Sequence, residues 1–356
     1  MQESPPVAMP LETLQLSVAR IFEAAGVDPS DAQVVADVLV GAESRGVESQ
    51  GLLRLGRYLD SWFAGAVQSP AQIQLKADHG GSLVFESNRA WPQVALLHAG
   101  NRAVERAREL GSCTALVVGT GHIGRLGHYI ERIAQQGMIG LVLTGGDGAG
   151  GWVAPWGSTT PAWGTNPIAF AFPRADGADI VVDISTTQTS RGRILLAQAN
   201  GETLPADCAF DADGHPTQDP HSALPPGGTM APLGGLSAGH KGYGLALAVE
   251  ILTGVLGGPQ PADAGSTFIS VFNPDAFTSR GDYEKRLSEL AERIKSGVPR
   301  EGYEIRLPGE GADGRLDRNI RDGLVLSGQA WSELQRAGTR VGISIEGLQA
   351  IEPTAE

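Results

Sequence analysis

TALVVGTGHIG, Thr114–Gly124, opens as a strand and closes as a glycine-rich turn. The apolar run over Thr114–Val118 predicts the strand, and a helix is expected from the turn to about Gln136. Gly119, Gly121 and Gly124 then form G-x-G-x-x-G between a strand and a helix. In a dinucleotide-binding unit, such glycines let the backbone close on a pyrophosphate at the helix N-terminus. An acidic residue, Asp147, follows the next strand, Gly140–Thr144. A doubly wound sheet also needs repeated βαβ units. Instead the chain turns to GGDGAGGWVAPWGSTTPAWGTNP (Gly145–Pro167), and no regular unit follows. The Rossmann reading therefore yields to another α/β arrangement.

Upstream, Leu11, Leu14, Val18, Ile21 and Phe22 mark one face of a helix ending near Ala25, with Gly26 as its stop. Asp28–Pro29 supplies an N-cap and a first-turn proline for the next helix, to about Glu43. GAESRGVESQGLLRLGRY (Gly41–Tyr58) then joins that helix to one over Gly51–Ala64. Gln50 and Arg54, four apart, are expected on one side of the second helix. By spacing alone the favoured reading is an ordinary helix hairpin with a capping Ser49 and a solvated arginine, and a site is the second. Strands follow near Ile73–Lys76 and Leu83–Glu86, then a helix from Pro92 to Leu110. Further strands are expected at Ile168–Phe172 and Ile180–Ile184. His240–Gly258 reads as a mostly buried helix, and Tyr283–Ser296 and Ala330–Arg336 as helices.

Glycine accounts for 49 of 356 residues, about twice the usual ~7%, which fits many tight turns. A net charge of −13 and a pI near 5.0 argue against nucleic acid or anionic membranes as partners. Cys113 and Cys208 have neither C-x-x-C spacing nor metal ligands nearby, so no disulfide or zinc site is expected. Asp211, Asp213 and Gly214 suggest a calcium loop, but His215 and Ser222 stand where an EF-hand needs an oxygen ligand and a glutamate. No apolar run reaches the ~18 residues of a membrane span, and MQESPPVAMP lacks a signal-peptide pattern. A cytoplasmic protein is expected.

Gly41–Tyr58 resembles the acid–Gly–Val–x–Ser–His–Gly–x–x–Arg signature of the type-2 malate/L-lactate dehydrogenase family, which also includes ureidoglycolate and sulfolactate dehydrogenases, diketogulonate reductase and Δ1-piperideine-2-carboxylate reductase. Five further stretches carry the resemblance: the His122 turn, Gly164-Thr165-Asn166-Pro167, Asp183–Ser185, His240-Lys241-Gly242 and IRLPGEG (Ile305–Gly311). The resemblance spans about Leu11 to Leu334. It implies a non-Rossmann α/β fold, with a mixed or antiparallel cofactor-binding sheet over 71–279. A helical domain would come from both chain ends, 10–70 with 280–356, after a disordered arm at 1–9. It implies a homodimer acting on a small carboxylate substrate with NAD or NADP.

By the same resemblance, Ser49 and its neighbour form the proton-donating pair, Arg54 holds the substrate carboxylate, and Thr165 touches substrate. Cofactor contacts would fall on His122, Ile123, Gly124, Arg125, Leu126, Asp183, Ile184, Ser185, His240, Lys241, Arg306, Gly309, Glu310 and Gly311. One position departs: the family's histidine is Gln50 here. An amide does not ionise usefully, so Gln50 cannot be a general acid, a role worth ~10²–10⁴ in rate.

Three readings follow. A ketone/alcohol reaction would take its proton from His122 or a water chain, with Gln50 polarising the carbonyl. An imine reduction would need no acid, because an iminium brings its own proton. A cofactor-binding homologue without catalysis is the third. Glu310 leans towards NAD through the ribose hydroxyls, whereas Arg125 could accept the 2′-phosphate of NADP.

Overall fold

The computed structural model describes residues 7–146, 151–260 and 264–345, so Asp147 lies outside the described residues. Strand β1 (Val7–Met9) leads into helices α1 (Leu11–Ala24) and α2 (Pro29–Ser44). Two short 3₁₀ turns, Glu48–Gln50 and Leu52–Arg54, deliver the chain to α3 (Leu55–Phe63). Next come β2 (Gln74–Asp78), β3 (Ser82–Glu86), α4 (Pro92–Leu110), β4 (Ser112–Thr120), α5 (Gly127–Ala134) and β5 (Ile139–Gly145). Strands β6 (Ile168–Phe172) and β7 (Ile180–Ile184) precede α6 (Arg191–Asn200), a small hairpin β8 (Ala209–Asp211) and β9 (Gly228–Met230), and α7 (Gly235–Glu250). The chain closes with β10 (Gly265–Phe272), α8 (Arg280–Lys295), α9 (Glu310–Asp322), β11 (Leu324–Leu326) and α10 (Gly328–Arg340).

Seven strands form one sheet in the order β2-β3-β4-β10-β5-β6-β7. Only β3 and β4 pair in parallel; every other neighbour is antiparallel. In a Rossmann unit β4 and β5 would lie side by side across the α5 crossover. Here β10 separates them, with Thr267 opposite both Val117 and Thr144. The sheet is therefore mixed and largely antiparallel, as the family resemblance implies. Gly124, with φ +81°, serves packing: a Cβ there would sit 2.9 Å from Val38 Cγ1.

A second core lies between the chain ends. Leu14, Val18, Ile21 and Phe22 of α1, Val35 and Leu39 of α2, and Leu52, Leu55 and Leu59 pack with Trp331 and Leu334 of α10. Each such side chain, once buried, contributes roughly 1.5–3 kcal/mol of hydrophobic stabilisation. Trp91, at the entry to α4, joins this core, its ring 5.5 Å from Phe22 and 6.1 Å from Tyr58.

Three expectations need correction. Val7–Met9 are a strand, not a disordered arm; they pair with Leu324–Leu326, and Met9 is buried. Helix α8 does not join the helical core: Ala291 and Leu287 pack with Ile180, Phe172 and Leu307 at the sheet edge. Helix α7 and the π turn after it, Ile251–Val255, are not mostly buried, for Leu245, Leu247, Ile251, Val255 and Leu256 are exposed.

Candidate active site

The Gly41–Tyr58 segment is two 3₁₀ turns broken at Gly51, so Gln50 and Arg54 do not share a helix face as their spacing suggested. Glu43, buried at the end of α2, shapes the break: its Oε2 accepts from Leu52 N at 2.9 Å. A Cβ on Gly51 would fall 2.1 Å from that oxygen, so any side chain there would have to displace the carboxylate. Burial pushes the Glu43 carboxyl up to about 7. Arg54 Nε donates to Ser49 O at 2.7 Å, which pins the guanidinium over the turn.

Gln50, Arg54, His122, Thr165, Trp152 and Arg191 line one cavity of about 320 Å³, at the junction of the two cores. The turn after β4 supplies His122; the loop before β6 supplies Thr165; the start of α6 supplies Arg191. His122 Nδ1 lies 2.8 Å from Tyr58 Oη, which accepts from Gln93 Nε2 at 2.9 Å. Burial, ahead of the Arg54 and Arg57 guanidiniums, pushes His122 down to about 3. The imidazole is neutral at physiological pH.

Arg57 and Arg191 also line this cavity. Among the described residues, neither they nor Arg54 has a carboxylate within salt-bridge distance. Burial, and then Arg57 and Arg191, lower the Arg54 pKa. Arg191 stacks its guanidinium 4.3 Å from the centre of the Trp152 ring. Its Nε is buried without a hydrogen-bond partner, as is Gln50 Oε1. Two half-buried cations, Arg54 and Arg191, and two unpartnered polar atoms therefore face one small space, with the exposed Arg57 at its rim. Such groups are costly to leave unmatched, and a bound anion would match them.

The other expected site residues divide. Ser49 does not line the cavity; it packs against Gly192, whose Cβ would sit 3.0 Å from Ser49 Cβ. Ile123, Gly124 and Leu126 line it, although the Ile123 and Leu126 side chains are buried in the sheet core. Arg125 is buried in ion pairs with Glu131 and, at 3.8 Å, Asp183, so it is not free to take a 2′-phosphate. Asp183 is likewise engaged, accepting from Gly127 N at 2.7 Å, and burial raises its pKa against the pull of Arg125. This clamp ties the His122 turn to the end of β7.

Ile184 is exposed beside it, and Ser185 Oγ donates to Thr187 O. The loop before α9 continues this edge, for Pro308 O accepts from Val181 N at 3.0 Å and Gly309 abuts Val181. Arg306 pairs with Glu304 on the surface. Glu310 pairs with Lys295 and accepts from Leu307 N, and Gly311 follows it into α9. Neither Arg125 nor Glu310 is therefore a free selector between NAD and NADP. His240 and Lys241 stand exposed within α7, away from the cavity, with His240 against Trp156.

Asp211 Oδ1 accepts from Asp213 N and His215 N on the surface, so the candidate calcium loop is a backbone turn held by its own aspartate. Sequence reasoning missed Arg57, Tyr58, Gln93, Trp152 and Arg191. Arg57 and Tyr58 stood inside the quoted signature; Arg191 has no local signal beyond the capping Ser190 before it.

The cavity thus sets unpaired arginines and a neutral imidazole side by side, next to the sheet edge where Ile184 is exposed. A family model for malate/L-lactate dehydrogenase matches residues 9–335. The chain is 32% identical to L-sulfolactate dehydrogenase of Methanocaldococcus jannaschii over 333 residues, covering 90% of this chain and 93% of that protein. It is 35% identical to (2R)-3-sulfolactate dehydrogenase (NADP(+)) of Chromohalobacter salexigens, covering 84% and 88%. The solved Δ1-piperideine-2-carboxylate reductase of Pseudomonas syringae pvar. tomato superposes with a TM-score of 0.82 at 30% identity, covering 93% and 99%. The chain belongs to the malate/L-lactate dehydrogenase family, whose members use nicotinamide cofactors, and it is an oxidoreductase.

Proposed function

We propose that this enzyme interconverts a small 2-oxo acid and its 2-hydroxy acid, and that the preferred substrate carries a second anionic group. The observation that carries this reading is the unpaired Arg54, Arg57 and Arg191 around one cavity. One carboxylate would leave one of the two half-buried cations, Arg54 or Arg191, unmatched. A dicarboxylate, or a carboxylate with a sulfonate, balances them better. The sulfolactate specificity named for the two relatives agrees with that chemistry.

The nicotinamide, NAD or NADP, supplies or takes the hydride. The exposed edge from the His122 turn past Asp183–Ser185 to Arg306–Gly311 would hold it, with Ile184 offering an apolar face. Arg54 binds the C1 carboxylate as a planar fork, with Thr165 beside it, and Arg191 reaches the distal anion. Neutral His122 takes the hydroxyl proton in oxidation or hands one over in reduction. Gln50 orients the C2 oxygen.

A second reading, imine reduction, draws on Gln50. Its unpartnered Oε1 accepts, and an iminium N–H would donate to it. The solved piperideine-carboxylate reductase lends it weight.

A second copy of the chain would cover the exposed apolar face of α7 and its π turn, where Val255 is 69% and Leu256 58% exposed. No helix among the described residues is long and apolar enough to cross a membrane. Loss of NADH or NADPH absorbance with oxaloacetate, 3-sulfopyruvate, pyruvate and Δ1-piperideine-2-carboxylate in parallel tests the reading. Faster turnover of the two dianions supports it. Faster turnover of the imine supports the second reading, and cofactor binding without any turnover would mean a non-catalytic homologue.

A further inference from the structure

His122 stands in the wall between two cavities. The larger, about 940 Å³, is lined by His122, Gly121, Tyr58, Trp91 and Gln93 on the inside. Arg57, Gln72, Asn88 and Arg89, all exposed, form its mouth, so it opens to solvent. Tyr58 and Gln93 belong to this chamber alone and do not reach the catalytic cavity. Two buried polar atoms of the chamber's lining residues lack partners: Trp91 Nε1, a donor, and Gln93 Oε1, an acceptor. Those two atoms sit behind the chamber wall, closed off from its open volume; the chamber itself, roomy and rimmed by exposed Gln72, Asn88 and Arg89, is a space that holds water.

We propose that the proton used at the substrate oxygen passes between this water-filled chamber and the catalytic cavity through Tyr58 and His122. Tyr58 is then a positioning residue that also relays the proton. The hydrogen-bond directions support it. Gln93 Nε2 donates to Tyr58 Oη and, at 3.2 Å, to His122 O. Tyr58 can then turn its own proton towards His122 Nδ1 or towards His122 O, 3.4 Å away; the relay takes the first arrangement, which leaves Nε2 carrying the ring hydrogen. That nitrogen is the one free to address the substrate.

In reduction, Nε2–H breaks as the product O–H forms, Nδ1–H forms as Tyr58 O–H breaks, and chamber water reprotonates Tyr58. Hydride goes to carbon and one solvent proton is consumed. When product has left, water in the emptied cavity protonates Nε2, Nδ1 passes its proton to Tyr58 and Tyr58 releases its own to chamber water, which resets the ring. A neutral imidazole cannot store an acidic proton, but it can pass one. The relay thus answers the loss of an acid at Gln50. It rests on the oxo-acid reading above.

Tyr58→Phe tests it in two ways. Imidazole ¹⁵N spectra of the wild-type protein, needing no substrate, should show His122 as the neutral Nε2–H tautomer; the variant should lose that preference. In kinetics, keto-acid kcat should fall about 100-fold with KM nearly unchanged and an altered solvent isotope effect. Turnover of a preformed iminium, which brings its proton, should change less than about 3-fold by the same reasoning. An unchanged tautomer in Tyr58→Phe overturns the relay. So do equal losses on both substrates, which make Tyr58 a scaffold only. Absence of wild-type turnover on any 2-oxo acid would count against the proposed function instead, and the spectra would still judge the relay.

Discussion

Single residues decide how this site ionises. Glu43 is held neutral by burial, so its folded pKa, about 7, exceeds the 4.5 of an ordinary glutamate. The unfolded chain releases that proton first as pH rises. The stability from neutral Glu43 is thus complete below 4.5 and lost as pH climbs through about 7, roughly 3 kcal/mol in all. Glu43→Gln keeps an acceptor for Leu52 N and cannot ionise. Its melting temperature should fall less than the wild type's between pH 5 and 8; parallel curves would mean Glu43 ionises freely in the fold. Gly51→Ala has nowhere to put its methyl group except onto this carboxylate, and should lose both stability and Arg54 placement, read as a lower melting temperature and a raised KM. At this scale the sequence was a partial guide. Arg54, Thr165 and His122 come together as the signature implied. Ser49 turns away and Arg125 is consumed by Glu131, because a motif fixes residue type and not which neighbour claims the side chain.

Secondary-structure elements were legible where local pattern suffices. β6 and β7 fall where alternation placed them, and α2 begins at its Asp28 cap, whose side chain accepts from Ser30 N. The central strand β10 was missed, although GSTFISVF is rich in β-branched and aromatic residues. Its identity comes from pairing with β4 and β5, more than 100 residues upstream, and such distant partners leave no local mark. The same holds for β1, three residues whose strand character exists only through β11. Deleting residues 1–9 should therefore cost stability. Losing the buried Met9 side chain and opening the β11 edge costs roughly 2–3 kcal/mol, a loss of several degrees in melting temperature. An unchanged melting temperature would restore the view of this segment as a free arm.

For the molecule as a whole, apolar periodicity does not separate a core helix from one with an open apolar face. The sequence of α7 reads as buried, and its apolar face is open in the single chain; the second copy proposed above would reconcile the two. Val255→Asp with Leu256→Asp should shift light scattering from dimer to monomer, whereas a wild-type monomer would remove that role. Charge is likewise read at this scale. A chain of net charge −13 gathers three unpaired arginines in one cavity, so a local field opposes the global one and draws an anion inward. The most direct test of the account is the ratio of kcat/KM for oxaloacetate over pyruvate, in the wild type and in Arg191→Leu. The account predicts a wild-type ratio well above one that falls about 10- to 100-fold in the variant, the value of a charge-assisted contact. A ratio near one, or one that Arg191→Leu leaves unchanged, would contradict it.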